Sequence, residues 1–182
     1  MHPPVLWTPQ GKFSCLKNGS LTLSDGAAIK LLGVSNVLFQ DLIIKGGKGI
    51  IVGNADVKLQ MTRCTVSGST SHGIDMASGD ISGYWRQSLE ADNCIFTCNG
   101  GYGLHLYGPR TGRDDGIDVS AFLSKCSIHG NKIGSVLAHA PSDVEGSAKV
   151  TLHDCELDKP AEKRGYGEVH LPVTTKTVSP IP

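Results

Sequence analysis

Asp75 and His105 are the two residues whose types and spacing could do acid–base chemistry together. Each follows a Gly-apolar pair, in "GIDM" and "GLHL". A carboxylate beside an imidazole can orient a general base, which must reach the proton it removes. Near them in sequence lie Tyr84, Trp85, Tyr107, Arg110, Arg113, Asp114 and Asp115. Rings of this kind pack on sugar faces, while charged groups bind hydroxyls or carboxylates. The same residues also have plainer roles. Asp75 and His105 suit a solvated sheet face, Trp85 could fold over an edge of the core, and Arg113 with Asp114 and Asp115 could be a surface ion-pair cluster worth little. A different chemistry is raised by Cys94 and Cys98, the one close cysteine pair. Their three-residue gap departs from the C-x2-C pairs typical of zinc sites. The expectation is therefore no metal. Neither a phosphate-cradling Gly-rich loop nor a serine nucleophile elbow occurs.

These residues must be positioned by short extended elements. The chain has 182 residues, with Lys+Arg and Asp+Glu balanced at 17 each and 23 glycines. The charge balance gives no field that would favour nucleic acid or an acidic membrane. No apolar run is long enough for a transmembrane helix. Runs of period two, "SLTLS", "VKLQM", "GIDMA", "GLHLY" and "KVTLH", recur between Gly, Asn, Asp and Ser, which predicts strands and turns.

The runs form a repeat. An anchor column reads Cys15, Leu42, Cys64, Cys94, Cys126 and Cys155. Two residues after each anchor come Lys17, Ile44, Val66, Phe96, Ile128 and Leu157. Four residues after come Gly19, Gly46, Gly68, Cys98, Gly130 and Lys159. Each unit turns apolar residues inward, bends where Gly tolerates φ > 0, and continues into a second strand. Such a unit cannot bury its inner face alone and must stack on copies of itself. The five cysteines then read as one inward column of small hydrophobes. Asn99 and Asn131, each five residues after an anchor, read as a turn ladder that satisfies backbone groups. The outward column of the "GIDM" sheet reads Ile51, Asp75, His105, Leu137, then Glu168 or His170. Longer segments at 77–87, 107–118 and 139–148 would emerge side by side as a wall along that sheet.

The units "NVLFQDLIIKGGKGIIV", "RCTVSGSTSHGIDM" and "NCIFTCNGGYGLHL" resemble the right-handed parallel β-helix repeats of the pectate-lyase-like superfamily, over Phe13 to Leu171. The resemblance implies an all-β solenoid of about six coils with loops projecting on one face. That architecture carries lyases, hydrolases, epimerases, tailspikes and non-catalytic modules, so it implies no single activity. The polygalacturonase-type members run N-T-D, D-D, G-H-G, R-I-K. Here "SHGID" precedes "RDDGID", and neither N-T-D nor R-I-K occurs. A pectate-type lyase implies acids clustered on Ca²⁺, which needs six to eight oxygens, and Asp75 is the one acid in the middle of its column.

One β-helix domain is expected over 1–182, with an N-terminal cap at 1–12, coils over 13–171 and a tail at 172–182. The prolines of "MHPPVLWTPQ" and "LPVTTKTVSPIP" suit ends that protect a solenoid's edges. Without a basic and apolar leader, a cytoplasmic location is expected for an intact chain and an extracellular one for a mature form or fragment. Functionally, the sequence favours a non-catalytic binding or scaffold module that presents the loop-walled face to a saccharide or protein. The alternative is a polysaccharide lyase or glycoside hydrolase centred on Asp75 and His105, with Ca²⁺ only in the lyase case. Nucleic acid and membrane are not expected partners, and the oligomeric state stays open.

Overall fold

The computed structural model describes residues 14–31, 35–53, 55–76, 85–108, 117–141 and 147–171. Strands β1 (Ser14–Leu23) and β2 (Ile29–Leu31) come first, then β3 (Ser35–Gly46) and β4 (Ile50–Val52). Triplets follow: β5 (Val57–Thr62), β6 (Thr65–Ser67) and β7 (Ile74–Met76); β8 (Trp85–Asp92), β9 (Ile95–Thr97) and β10 (Tyr102–Tyr107). The next are β11 (Ile117–Ser124), β12 (Ser127–His129) and β13 (Gly134–Ala140), then β14 (Ser147–His153), β15 (Glu156–Leu157) and β16 (Glu162–Gly165), with β17 (Glu168–His170) last.

Each strand pairs with its counterpart in the next unit, and every pairing among the described residues is parallel. One sheet runs β16-β13-β10-β7-β4-β2. The other holds the long strands β5, β8, β11, β14 and β17 and the short strands β6, β9, β12 and β15, joined because β3 runs through both halves. This is a parallel β-helix. Parallel strands joined by a full circuit of chain take the right-handed connection. Among the described residues, no helix is long and apolar enough to cross a membrane.

The alternating pattern does what period two requires. In β5 buried Val57, Leu59 and Met61 alternate with half-buried Lys58, Gln60 and Thr62. Ile50, Ile74, Leu104 and Val136 stack in register at 0% exposure inside the six-stranded sheet. Each such side chain contributes about 1.5–3 kcal/mol by leaving water. The long and short strands meet at a bend made by one left-handed residue: Asp41, Arg63, Asn93, Lys125 and Asp154, at φ between 51° and 55°. A non-Gly residue there costs on the order of 1–3 kcal/mol. The ladder runs unbroken through the bend and offsets that cost, with Arg63 N–H donating to Asp92 O at 3.0 Å and Asn93 N–H to Ser124 O at 3.0 Å.

Cys64, Cys94, Cys126 and Cys155 follow these bends and are buried. Cys15 is not one of their column. Gly19, not Cys15, pairs with Leu42, and Cys15 lies exposed opposite Leu38. The first unit is therefore displaced by four residues from the sequence alignment. Leu21 takes the inward place assigned to Lys17, pairing with Ile44. Gly46, Gly68, Cys98 and Gly130 all take positive φ at the second bend, whereas Gly19 sits within β1. Behind that bend, Asn99 Nδ2–H donates to Asn131 Oδ1 at 2.9 Å, and Asn131 Nδ2–H donates to Phe96 O at 3.0 Å. Ser69 and Asn99 backbone N–H groups donate to the Oδ1 atoms of Asn99 and Asn131.

Candidate functional site

The solvent face of the six-stranded sheet gathers its chemistry by register. Lys30, Ile51, Asp75, His105, Leu137 and Glu162 form one row across the strands. Glu162 ends this row in place of Glu168 or His170, because β16 is the strand beside β13. Glu168 and His170 instead lie on β17 beside β14, paired with Lys149 and Thr151. Two residues further along their strands, Tyr107, His139 and Arg164 make a parallel row.

His105 Nδ1 lies 2.8 Å from Asp75 Oδ1, with both side chains less than one-fifth exposed. A carboxylate only accepts, so Nδ1 carries a proton, and in the neutral ring Nε2 has the lone pair. His72, in the turn before β7, adds a second imidazole. Its ring centroid is 4.5 Å from that of His105. Its Nδ1 accepts the backbone N–H of Tyr102 at 3.0 Å, which places the proton on Nε2. Burial holds His72 below the usual histidine range, partly opposed by the charge of Asp75.

Glycine makes room for these rings. A Cβ on Gly101 would stand 2.5 Å from His72 Nδ1, and one on Gly134 would stand 2.6 Å from Tyr102 Cε1. Tyr102 is buried, donates its hydroxyl to Glu162 Oε2 at 3.1 Å and accepts from Arg164 Nη2 at 3.2 Å. Burial, then Glu162, push its phenol above the usual range. Tyr102 and His72 centroids are 5.8 Å apart, those of His105 and Tyr107 6.3 Å, and those of Tyr107 and His139 5.1 Å. Five rings thus form one continuous row.

His72, Asp75 and His105 each place one ligand-type atom within 4.8 Å of the others. Metal coordination takes a ring lone pair, and that of His72 Nδ1 is already used by Tyr102 N–H. As arranged, Asp75 is likewise engaged with His105 Nδ1–H, so each of the three residues spends a polar atom on a protein partner.

Of the residues singled out from sequence, Asp75, His105 and Tyr107 come together on this face. Trp85 does not join them. It begins β8 in the other sheet, opposite Ile117, and packs half-buried against the core. Tyr84, Arg110, Arg113, Asp114 and Asp115 lie outside the described residues. His72, Tyr102, His139, Glu162 and Arg164 were not anticipated. For His72 and Tyr102 the signal was Gly101 and Gly134, small residues against which the two rings lie. On the outer face of the other sheet, Gln60, Glu90 and Phe122 line a separate depression of about 390 Å³.

No characterised protein and no solved structure matches the chain. Residues 6–113, more than half of its length, match the family described as "Right handed beta helix region". With strands stacked in parallel register unit upon unit, the chain belongs to the right-handed beta helix family.

Proposed function

We propose that the outer face of the six-stranded sheet binds a saccharide, and that the protein is a non-catalytic recognition module built on a β-helix. The observation that carries this reading is the ring row from Tyr102 through His72, His105 and Tyr107 to His139, with neighbouring centroids 4.5 to 6.3 Å apart. The rings stack on one another, so the row presents ring edges, imidazole nitrogens and the Tyr107 phenol, a mixture that suits a sugar's hydroxyls. Rings held by Gly101, Gly134 and their hydrogen bonds lose little freedom on binding, which favours affinity. A glycan array followed by calorimetry tests the reading. Tyr107→Ala and His139→Ala should each weaken the best ligand about tenfold, or about 1.4 kcal/mol, with circular dichroism showing the fold retained. Absence of binding to every glycan by folded protein would sink it.

A second reading is favoured by the 2.8 Å bond from His105 to Asp75. In an enzyme, Nε2 of His105 would take a proton while Asp75 holds Nδ1–H and stabilises the imidazolium. Reducing ends or unsaturated products formed by the parent, and not by Asp75→Ala/His105→Ala, would establish catalysis.

A further inference from the structure

We infer that His72 and His105 hold their protons on opposite ring nitrogens, and that this donor–acceptor pair selects a neutral, hydroxyl-bearing sugar over a uronate; the ligand half of the inference rests on the saccharide reading above. The tautomers follow from partners whose roles are not interchangeable. A backbone N–H only donates, so Tyr102 N–H makes His72 Nδ1 the acceptor and leaves Nε2–H as donor. A carboxylate only accepts, so Asp75 makes His105 Nδ1 the donor, and in the neutral ring Nε2 has the lone pair. Among the described residues, neither Nε2 has a hydrogen-bond partner. Glycine at position 101 lets the His72 ring lie against the backbone it bonds.

A hydroxyl group both donates and accepts, so it satisfies a neighbouring N–H and lone pair together. A carboxylate satisfies the N–H alone and faces both the His105 lone pair and the charge of Asp75. Arg164, on the next strand of the face, contacts Glu162 at 3.4 Å and the Tyr102 phenol at 3.2 Å through Nη2, away from the row of His105. The histidine pair beside Asp75 therefore accepts hydroxyls and penalises an added anion.

Nitrogen-15 two-bond correlation spectra of the labelled full chain at pH 7 read the tautomers directly. His72 should be protonated at Nε2 and His105 at Nδ1; either ring in the other tautomer, or as imidazolium, overturns the inference. The same sample is then titrated with xylotetraose, cellotetraose and galactotetraose, and with tetragalacturonate. At least one neutral sugar should bind ten times more tightly than tetragalacturonate and shift both imidazoles. Equal or tighter binding of tetragalacturonate overturns the selectivity. Correct tautomers with no sugar bound would contradict the saccharide reading and the selectivity while leaving the tautomers standing. Wrong tautomers with a sugar bound would overturn the inference and leave the saccharide reading standing.

Discussion

His105 Nδ1 and Asp75 Oδ1 meet at 2.8 Å across 30 residues of sequence, because β7 and β10 are in register at that pair. Nothing local brings them together. One insertion or deletion between them that shifted the register would carry His105 to the core side of its strand. The stacked interior of Ile74 on Leu104 and Met76 on Leu106 forbids that slip. Core packing thus fixes the geometry of this outward-facing pair.

The same packing separates the cysteines into two classes. Cys15 and Cys98 are exposed, and Cys64, Cys94, Cys126 and Cys155 are buried. Ellman titration of native protein should count two of the six thiols, rising to six in denaturant. Labelled peptides should be those of Cys15 and Cys98. Rapid reaction of all six would contradict the register given for the bends.

Asn131 bonds the Asn99 backbone N–H, the Asn99 amide and Phe96 O, and it is 1% exposed. Asn131→Ala strands buried groups on both neighbouring turns. An unsatisfied buried group costs about 1–3 kcal/mol, so chemical denaturation should show a loss of about 2–4 kcal/mol by the same principle. A loss below about 0.5 kcal/mol, typical of surface substitutions, would show that the turn does not depend on it.

Gly134→Ala would set a Cβ against the Tyr102 ring, whereas at Gly19 the nearest neighbour of such a Cβ is 3.9 Å away. Overpacking costs about 1–3 kcal/mol, and displacing Tyr102 also breaks its bonds to Glu162 and Arg164. Unfolding curves should therefore show Gly134→Ala destabilised and Gly19→Ala close to the parent. Equal stability of the two would mean that the ring is not seated on Gly134.

Acid should weaken the fold in two windows. Burial, first among the causes, lowers the pKa of both His72 and His139 from the ordinary 6.5. The unfolded chain then binds more protons as pH falls below about 6.5, and stability falls with it down to the folded-state values. Arg63 beside Asp41, and Lys58 with Gln60 beside Glu90, hold those carboxyls below their usual range. Their contribution is present above the unfolded carboxylate values and is lost as pH falls below them. Thermal unfolding from pH 7 to 5 should show a declining melting temperature, and His72→Gln/His139→Gln should flatten that decline. An unchanged slope in the double variant would refute the assignment.

Much of the fold is legible in the sequence because burial on one face imposes strict alternation, as at Val57, Leu59 and Met61. The first unit was misregistered because a cysteine at position 15 imitates the later anchors. Lys17 was the warning, a charge in a column otherwise apolar, and moving the anchor to Gly19 replaces it with Leu21. The site was half legible. Asp75 and His105 lie within strands, where register follows from the repeat. His72 lies in a turn, and its position depends on a side chain crossing to the backbone of Tyr102, which no periodicity encodes. Glu162 was missed because Lys159 and Pro160 disguise the last strand of the row.

The most direct test of the central claim is a calorimetric titration of the full chain with the tightest glycan found on the array, alongside Tyr107→Ala and His105→Ala. Saturable binding by the parent, weakened about tenfold (about 1.4 kcal/mol) by either variant while each remains folded, is the predicted result. Binding that both variants retain unchanged would place the ligand elsewhere and contradict the assignment of the six-stranded face.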